Sequence, residues 1–483
     1  MSRVVQSGPM PPEAPGSGLS PEISDSESES NEANEVNDLE AWESDDEGTW
    51  VSKPGLKWWQ ATFSFVVVVI GVGVMALPGL PKKGGWYMSC AAMVLLCAAV
   101  TESGIALWKG IMAGNRGHSA VKDGKAVAIS SYEDLGREAL GSFGESLVFV
   151  IVVLYFTGIC ASFADLIAGV MDNLFRDVMT MHQWMLVISP GMVALALLPN
   201  ITAVARFVPV AVGCIVIFVL IMIIKSIMDG QLWEAWQDLD ETKLHKLWPD
   251  SPMAMGTVVA TLFGAFGVNG NVPSVLCEME EPLDFPFAFR AAMMIVLCIY
   301  AAVMCSGYYG YGQFMQSDII LNMESFPANQ AQALNTPYDQ WTGPKATILG
   351  VICNSLLLVK LIVGFPLNIQ VIFYSFQTWR YSKDYVPLGS WANKAMRVGT
   401  VVILVLLMLS VSEFNKLFAL VCSVFGPMLQ CFLPLFLSYV IRKKTGARMS
   451  GGGRRVVHAV IAVFGIFSLT IGFYMAVSDI ING

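Results

Sequence analysis

Val66 to Trp86 reads VVVVIGVGVMALPGLPKKGGW, an apolar helix interrupted at its middle by Gly71, Val72 and Gly73, with Pro78 following. Lipid offers no water to free backbone N–H and C=O groups. A break at membrane depth therefore persists only beside protein or a solvated cavity. Glycine costs about 1 kcal/mol in a helix interior relative to alanine, and Pro78 removes a backbone donor besides. The stretch thus marks a binding site or a close crossing of two helices, because small residues also let membrane helices approach.

Outward from this stretch, apolar runs long enough to cross about 30 Å of hydrocarbon follow one another to the C-terminus. They lie near 60–80, 86–108, 146–172, 182–199, 207–228, 253–277, 291–312, 346–375, 397–412, 417–440 and 456–478, which predicts eleven transmembrane helices. The chain is 55% hydrophobic and 14% charged, against about 25% charged in soluble domains. An all-α polytopic membrane protein follows. The net charge of −9 comes mainly from one tail, so a basic nucleic-acid surface has no support. The 10 cysteines fall almost wholly inside apolar runs and read as small core residues, not a disulfide framework.

Residues 1–50 contain SPEISDSESESNEANEVNDLEAWESDDEG and lack the apolar content needed to fold, which predicts a disordered acidic tail ahead of a transmembrane domain over 51–483. The stretch contains no charged n-region followed by an apolar h-region, so no signal peptide is expected in it. Ser24, Ser26 and Ser28 suit an acid-directed kinase, with a solubilising tail as the plainer reading. With the N-terminus cytoplasmic and the N-terminal tail left uncounted, seventeen Lys and Arg fall on the inner loops and helix ends and eight on the outer side. That asymmetry predicts N-inside and C-outside. The segments Asp229 to Ser251 and Phe314 to Pro344 then lie outside, where they are placed to cover an entrance.

A second interrupted helix is the sixth, whose centre and end read FGAFGVNGNVPSVLCEMEEP, with Asn269 and Asn271 at membrane depth and Pro273 behind them. Breaks in helices 1 and 6 occupy corresponding positions if helices 1 to 5 and 6 to 10 form inverted halves. Paired interruptions of this kind point to a transporter binding site at the midplane.

Here the residues resemble a family. GVGVMALPGLPKKGGW is similar to the GSGILGLPYA...GW signature of the amino acid/auxin permease family. GTVVATLFGAFGVNGNVPSVLCEMEEPLDFP and YYGYGQFMQSDIILNM resemble its sixth- and seventh-helix patterns, except that the family's sixth-helix histidine has no counterpart. The resemblance implies a five-plus-five inverted-repeat fold with an eleventh helix, and secondary transport of amino acids, often coupled to protons or sodium. In such a fold the backbone of Gly71, Val72, Gly73 and Val74 would receive a substrate carboxylate at a half-helix N-terminus. Carbonyls around Phe263, Gly264, Phe266 and Gly267 would receive its ammonium, and Tyr155 on helix 3 would supply a hydroxyl at the same depth.

Lys360, within SLLLVKLIVGF of helix 8, is the charge most in need of a role. A lysine at the bilayer centre costs about 2.5 to 3.5 kcal/mol and calls for a partner or cavity. By the same resemblance, helix 8 helps hold sodium against helix 1, and sodium-coupled relatives carry an asparagine where this chain has Val67. A lysine ammonium in place of the ion implies proton coupling or exchange without sodium. Asp165 and Glu102 are candidate partners for Lys360 or proton relays, with Glu102 also close enough to Lys109 to reach the cytoplasmic interface instead. Glu278, Glu280 and Arg290 are candidates for a cytoplasmic gate, with plain solvation at a helix end as the alternative.

The four histidines form no metal-ligand spacing, and no nucleophile–base or carboxylate pair suggests an enzyme; no cofactor is expected. A non-transporting amino-acid sensor that signals through the acidic tail is the alternative to transport. A plasma-membrane, vacuolar or vesicular location fits either.

Overall fold

The computed structural model describes residues 55–71, 73–117, 129–175, 178–198, 204, 206–234, 245–249, 251, 253–316, 319–325, 347–410 and 414–482. The acidic segment 1–50 and Val72 lie outside the described residues, as does most of the two long outer segments.

The described backbone is helical. The first span is the pair α1 (Trp58–Val69) and α2 (Gly73–Gly84), bent by 52° about the glycine stretch. Then follow α3 (Trp86–Gly117), α4 (Tyr132–Leu174), α5 (Met181–Ala196) and α6 (Val208–Glu234). The sixth span is α7 (Ala254–Ala265) and α8 (Val272–Glu278), joined by a 3-10 turn at Asn269–Asn271. It is followed by α9 (Phe285–Tyr311), a short α10 (Ile319–Ser325), α11 (Ile348–Thr378) and α12 (Trp391–Ser410). The tenth span, α13 (Phe414–Pro427) and α14 (Leu433–Lys444), is linked by a π-helical turn at Met428–Phe432; α15 (Gly452–Asn482) closes the chain.

Among the described residues nine helices are long and apolar enough to cross a membrane, or ten with the bent pair as one span. The remaining expected span, the fourth, is α5, which is only 16 residues long against about 20 for a perpendicular crossing. Its run ends at the LLPN sequence, where the terminal carbonyls are taken by side chains. Arg397 Nη1 donates to Ala196 O at 2.8 Å and Leu198 O at 2.7 Å, and Gln370 Nε2 donates to Leu198 O at 2.7 Å. Cations at a helix C-terminus also complement its dipole.

Packing explains how the breaks are held. Phe65 of α1 meets Phe289 and Phe285 of α9 edge-on at 5.2 and 5.9 Å, and Thr62 Oγ1 donates to Ala288 O at 3.2 Å. Along α4 and α11, Phe149 stacks on Trp379 at 4.0 Å. The far faces of α6, α12 and α15 leave Leu220, Ile224, Ile403, Val460 and Val463 about half exposed or more, as a lipid-facing surface requires. At the end shared by the start of the first span and the close of the sixth, Leu56 N donates to Glu278 O at 2.6 Å and Glu280 N to Leu56 O at 3.0 Å. At the other end, His245 to Pro249 of an expected covering segment lies over the second and seventh spans. Trp86 N donates to Lys246 O at 2.9 Å, and His245 Nε2 lies 3.0 Å from the carbonyls of Tyr308 and Tyr309.

Candidate substrate site between the broken spans

The α1 ladder ends with Ile70 N donating to Val66 O at 2.9 Å, after which Gly71 N turns back onto Val69 O at 2.6 Å. The Gly71 N–H offered by the sequence to a carboxylate is thus engaged within its own turn. A side chain at Gly71 would meet the Phe163 ring at 2.9 Å and Lys360 Nζ at 3.7 Å. Gly364 of α11 faces the same two groups, at 2.9 and 3.6 Å. Two glycines from different spans therefore form a slot for the edge of Phe163 and the head of Lys360.

Lys360 is 1% exposed. Its amine sits 4.7 Å from the centre of the Phe163 ring and has no hydrogen-bond partner among the described residues. Neither Asp165, half-buried on α4, nor Glu102 pairs with it. A desolvated cation–π contact returns about 2 kcal/mol, whereas the lysine's burial at the bilayer centre costs about 2.5 to 3.5 kcal/mol or more. The contact alone does not offset the cost. Lys360 instead lines a crevice with Ile70, Val74, Cys214, Ile215, Phe218, Leu356 and Leu357, with about 10 Å³ open to the centre of a water molecule. The other walls are apolar, so the ammonium is the polar group this crevice presents.

Gly73 and Val74 open the second half-helix, both buried. A methyl at Gly73 would fall 2.5 Å from Ala265 Cβ and 2.7 Å from its Cα, so the first and sixth spans cross in contact here. The two glycines differ in what they border: Gly71 faces the lysine slot, and Gly73 permits the crossing. Tyr300 of α9, fully buried, sets its single hydroxyl 2.8 Å from Val69 O and 3.0 Å from Ala265 O, and Phe266 packs edge-on against its ring at 5.1 Å.

At the sixth-span break, Phe266 N donates to Leu262 O at 2.8 Å and Gly267 N to Gly264 O at 3.3 Å. The next two N–H groups go to a side chain: Val268 N and Asn269 N donate to Gln430 Oε1 at 3.1 and 2.9 Å. Asn269 Nδ2 donates to Gln430 O at 2.7 Å and Val100 O at 3.3 Å. Tyr155 sets its hydroxyl in the space beside Gly267, where it accepts from Gln430 Nε2 at 3.5 Å. Phe263, by contrast, turns away toward Gly426 and Phe464 of the tenth and eleventh spans.

Sequence reasoning missed Tyr300 and Gln430. Gln430 carried a usable signal, since an amide at membrane depth flanked by Pro427 and Pro434 demands a partner. The π-helical turn that aims it was not legible. The gate residues are not brought together: Glu278 Oε1 accepts from Tyr374 Oη at 3.1 Å, while Glu280 and Arg290 are exposed and form no ion pair among the described residues.

Residues 54–478 match the family model described as transmembrane amino acid transporter protein. The chain is similar to the amino acid transporter AVT1C of Arabidopsis thaliana, 21% identical over 440 residues that cover 88% of this chain and 70% of the relative. It is also similar to the vesicular GABA transporter of Caenorhabditis elegans, 22% identical over 453 residues, covering 91% and 83%. In structure it resembles MhsT in complex with L-phenylalanine, with a TM-score of 0.59 at 12% identity, covering 87% of this chain and 100% of the other. It also resembles MHP1, a nucleobase-cation-symport-1 family transporter in a closed conformation, with a TM-score of 0.55 at 12% identity, covering 88% and 92%. These likenesses show the fold: paired half-helices in the first and sixth spans of a two-halved transporter architecture.

Proposed function

Because the chain belongs to the transmembrane amino acid transporter family, we propose that it carries amino acids across a membrane by alternating access, coupled to protons and independent of sodium. The observation that carries this reading is the meeting of the two broken spans at Gly73 and Ala265 beside the amine of Lys360, which has no hydrogen-bond partner among the described residues. Backbone groups at the breaks bind the two charged ends of an amino acid, and Lys360 provides a cation beside the first break. Its proton replaces a metal ion in linking ligand binding to the gradient. The surroundings of Val67 support this choice: Val67 packs among Val204, Val208, Ala211, Val363 and Leu367, hydrocarbon that offers a hard cation no oxygen.

The crevice holds about one water, so the substrate enters when its walls part and the half-helices α2 and α8 swing with their spans. The N-terminus lies in the cytosol, the segment 1–50 is an acidic tail open to a kinase, and the Leu56–Met279 pairing with Glu278 and Tyr374 closes the cytoplasmic end. The test is uptake of labelled amino acids into proteoliposomes, with pH and sodium gradients applied separately. Uptake driven by an inward proton gradient is expected. Sodium-driven uptake would overturn the coupling assignment, and binding without flux under any gradient would make the protein a sensor.

A further inference from the structure

Three oxygens meet at the crossing of the broken spans: Val69 O at the end of α1, Ala265 O at the end of α7, and the hydroxyl of Tyr300. The hydroxyl lies 2.8 and 3.0 Å from the two carbonyls. All are buried, and one phenolic proton serves both contacts. Val69 O already accepts the Gly71 N–H at 2.6 Å, so the phenolic proton satisfies Ala265 O at the lower cost. Val69 O then faces a lone pair of the phenol oxygen with no proton between them. Buried acceptors in such contact favour a donor-rich guest.

We propose that Tyr300 is a positioning residue for the substrate's amino group. This assignment rests on the transport reading above and deepens it. A primary ammonium brings three N–H donors to an acceptor-rich corner made of two half-helix ends and a phenol. Tyr300 keeps its proton on Ala265 O, turns a lone pair to the ammonium, and fixes the spacing of the two carbonyls between which the ammonium is held. No bond is made or broken. The phenol is itself aimed by its neighbours: Phe266 packs on its ring at 5.1 Å, and a Cβ at Gly73 would stand 3.4 Å from its oxygen. The corner thereby selects primary amines, since each N-methyl group removes a donor and adds bulk where the spans touch.

The experiment measures equilibrium binding to the detergent-solubilised full chain, using the tightest-binding of the proteinogenic L-amino acids and its N-methyl derivative. The unaltered protein is expected to prefer the primary amine. In Tyr300→Phe the Kd of the primary amino acid rises about tenfold or more, the worth of one hydrogen bond to a charged group, and the preference over the N-methyl compound shrinks. Weakening of both ligands by one factor, with the preference intact, would mean a purely structural phenol and overturn the proposal. Should Tyr300→Phe fail to fold, 3-fluorotyrosine at position 300 keeps the packing while making the phenol a stronger donor and poorer acceptor. It should weaken the primary amine selectively, and an unchanged preference again overturns the role. Binding without flux would instead remove the transport reading and leave the Tyr300 result to stand by itself.

Discussion

At the sixth-span break the N–H groups of Val268 and Asn269 end on Gln430 Oε1, whereas at the first-span break Lys360 presents an amine that ends on no partner among the described residues. Both are interruptions of apolar helices at the same depth, and they meet at Gly73 and Ala265. One is closed by a side chain from the tenth span; the other borders a crevice. Gln430 is thus expected to act mainly on stability, and Lys360 mainly on coupling. The division runs between these two side chains, at two stretches that look alike in the sequence and that both lend backbone groups to the substrate in the proposed transport cycle.

Lys360→Met should sharpen that division most. Methionine keeps the length and packs against Phe163 while removing a buried charge, so thermal stability in detergent is expected to stay level or rise by about 1 to 3 kcal/mol. Uptake driven by a proton gradient should fall about a hundredfold or lose its response to the gradient. A variant that keeps gradient-driven flux, or that unfolds, breaks the comparison on the first-span side.

Gln430→Leu tests the other side. Two buried N–H groups lose their acceptor, each at about 1 to 3 kcal/mol, so the midpoint of thermal unfolding should drop markedly. The flux lost should track the fraction of folded protein, with the response to the gradient retained. Loss of coupling at full stability would place Gln430 with Lys360 and erase the distinction.

How much of this was legible in the sequence follows from the kind of signal each residue leaves. The breaks at Gly71 and Gly267 were readable because glycine and proline in an apolar run are costly unless used, and Lys360 because a charge in lipid is costlier still. Tyr300 left no such trace: a tyrosine in LCIYAAVMC is ordinary for a membrane helix, and its role exists only because α9 packs between two half-helices. α5 stops short of its apolar run for the opposite reason, since hydropathy continues past Ala196 while the helix end is capped by Arg397 and Gln370. Phe263 and Phe266 are neighbours by pattern yet face different partners: Phe263 packs toward Gly426 and Phe464, and Phe266 against Tyr300.

Gly73→Ala probes the seam where the two breaks touch. The added methyl would lie 2.5 Å from Ala265 Cβ, and overpacking of this kind costs about 1 to 3 kcal/mol. Ala265→Gly on the same chain opens the space again, so the double variant should recover most of the stability lost by the single one. Recovery measures coupling between the first and sixth spans directly. Additive losses would mean that the spans yield separately, and the close crossing would then not be what fixes Gly73.

The smallest effect is expected farthest from the breaks. Glu102 of α3 takes Arg454 of α15 in two bonds, Nε at 2.6 Å and Nη2 at 3.1 Å, with His458 Nε2 at 3.0 Å from the same carboxylate. The sequence offered Glu102 as a partner for Lys360; the structure gives it to the last helix, where it joins the bundle to its final span. The carboxylate is partly open to solvent, so Glu102→Gln should lower stability by about 1 kcal/mol and leave the proton-driven and sodium-driven fluxes in unchanged proportion. This outcome matters because Glu102 and Lys360 are both embedded charges, and charge at membrane depth would by itself mark both as functional. If Glu102→Gln instead shifts the response to the proton gradient, the proton's route runs through the second and last spans as well, and an ion pair that looks structural belongs with the open break rather than the closed one.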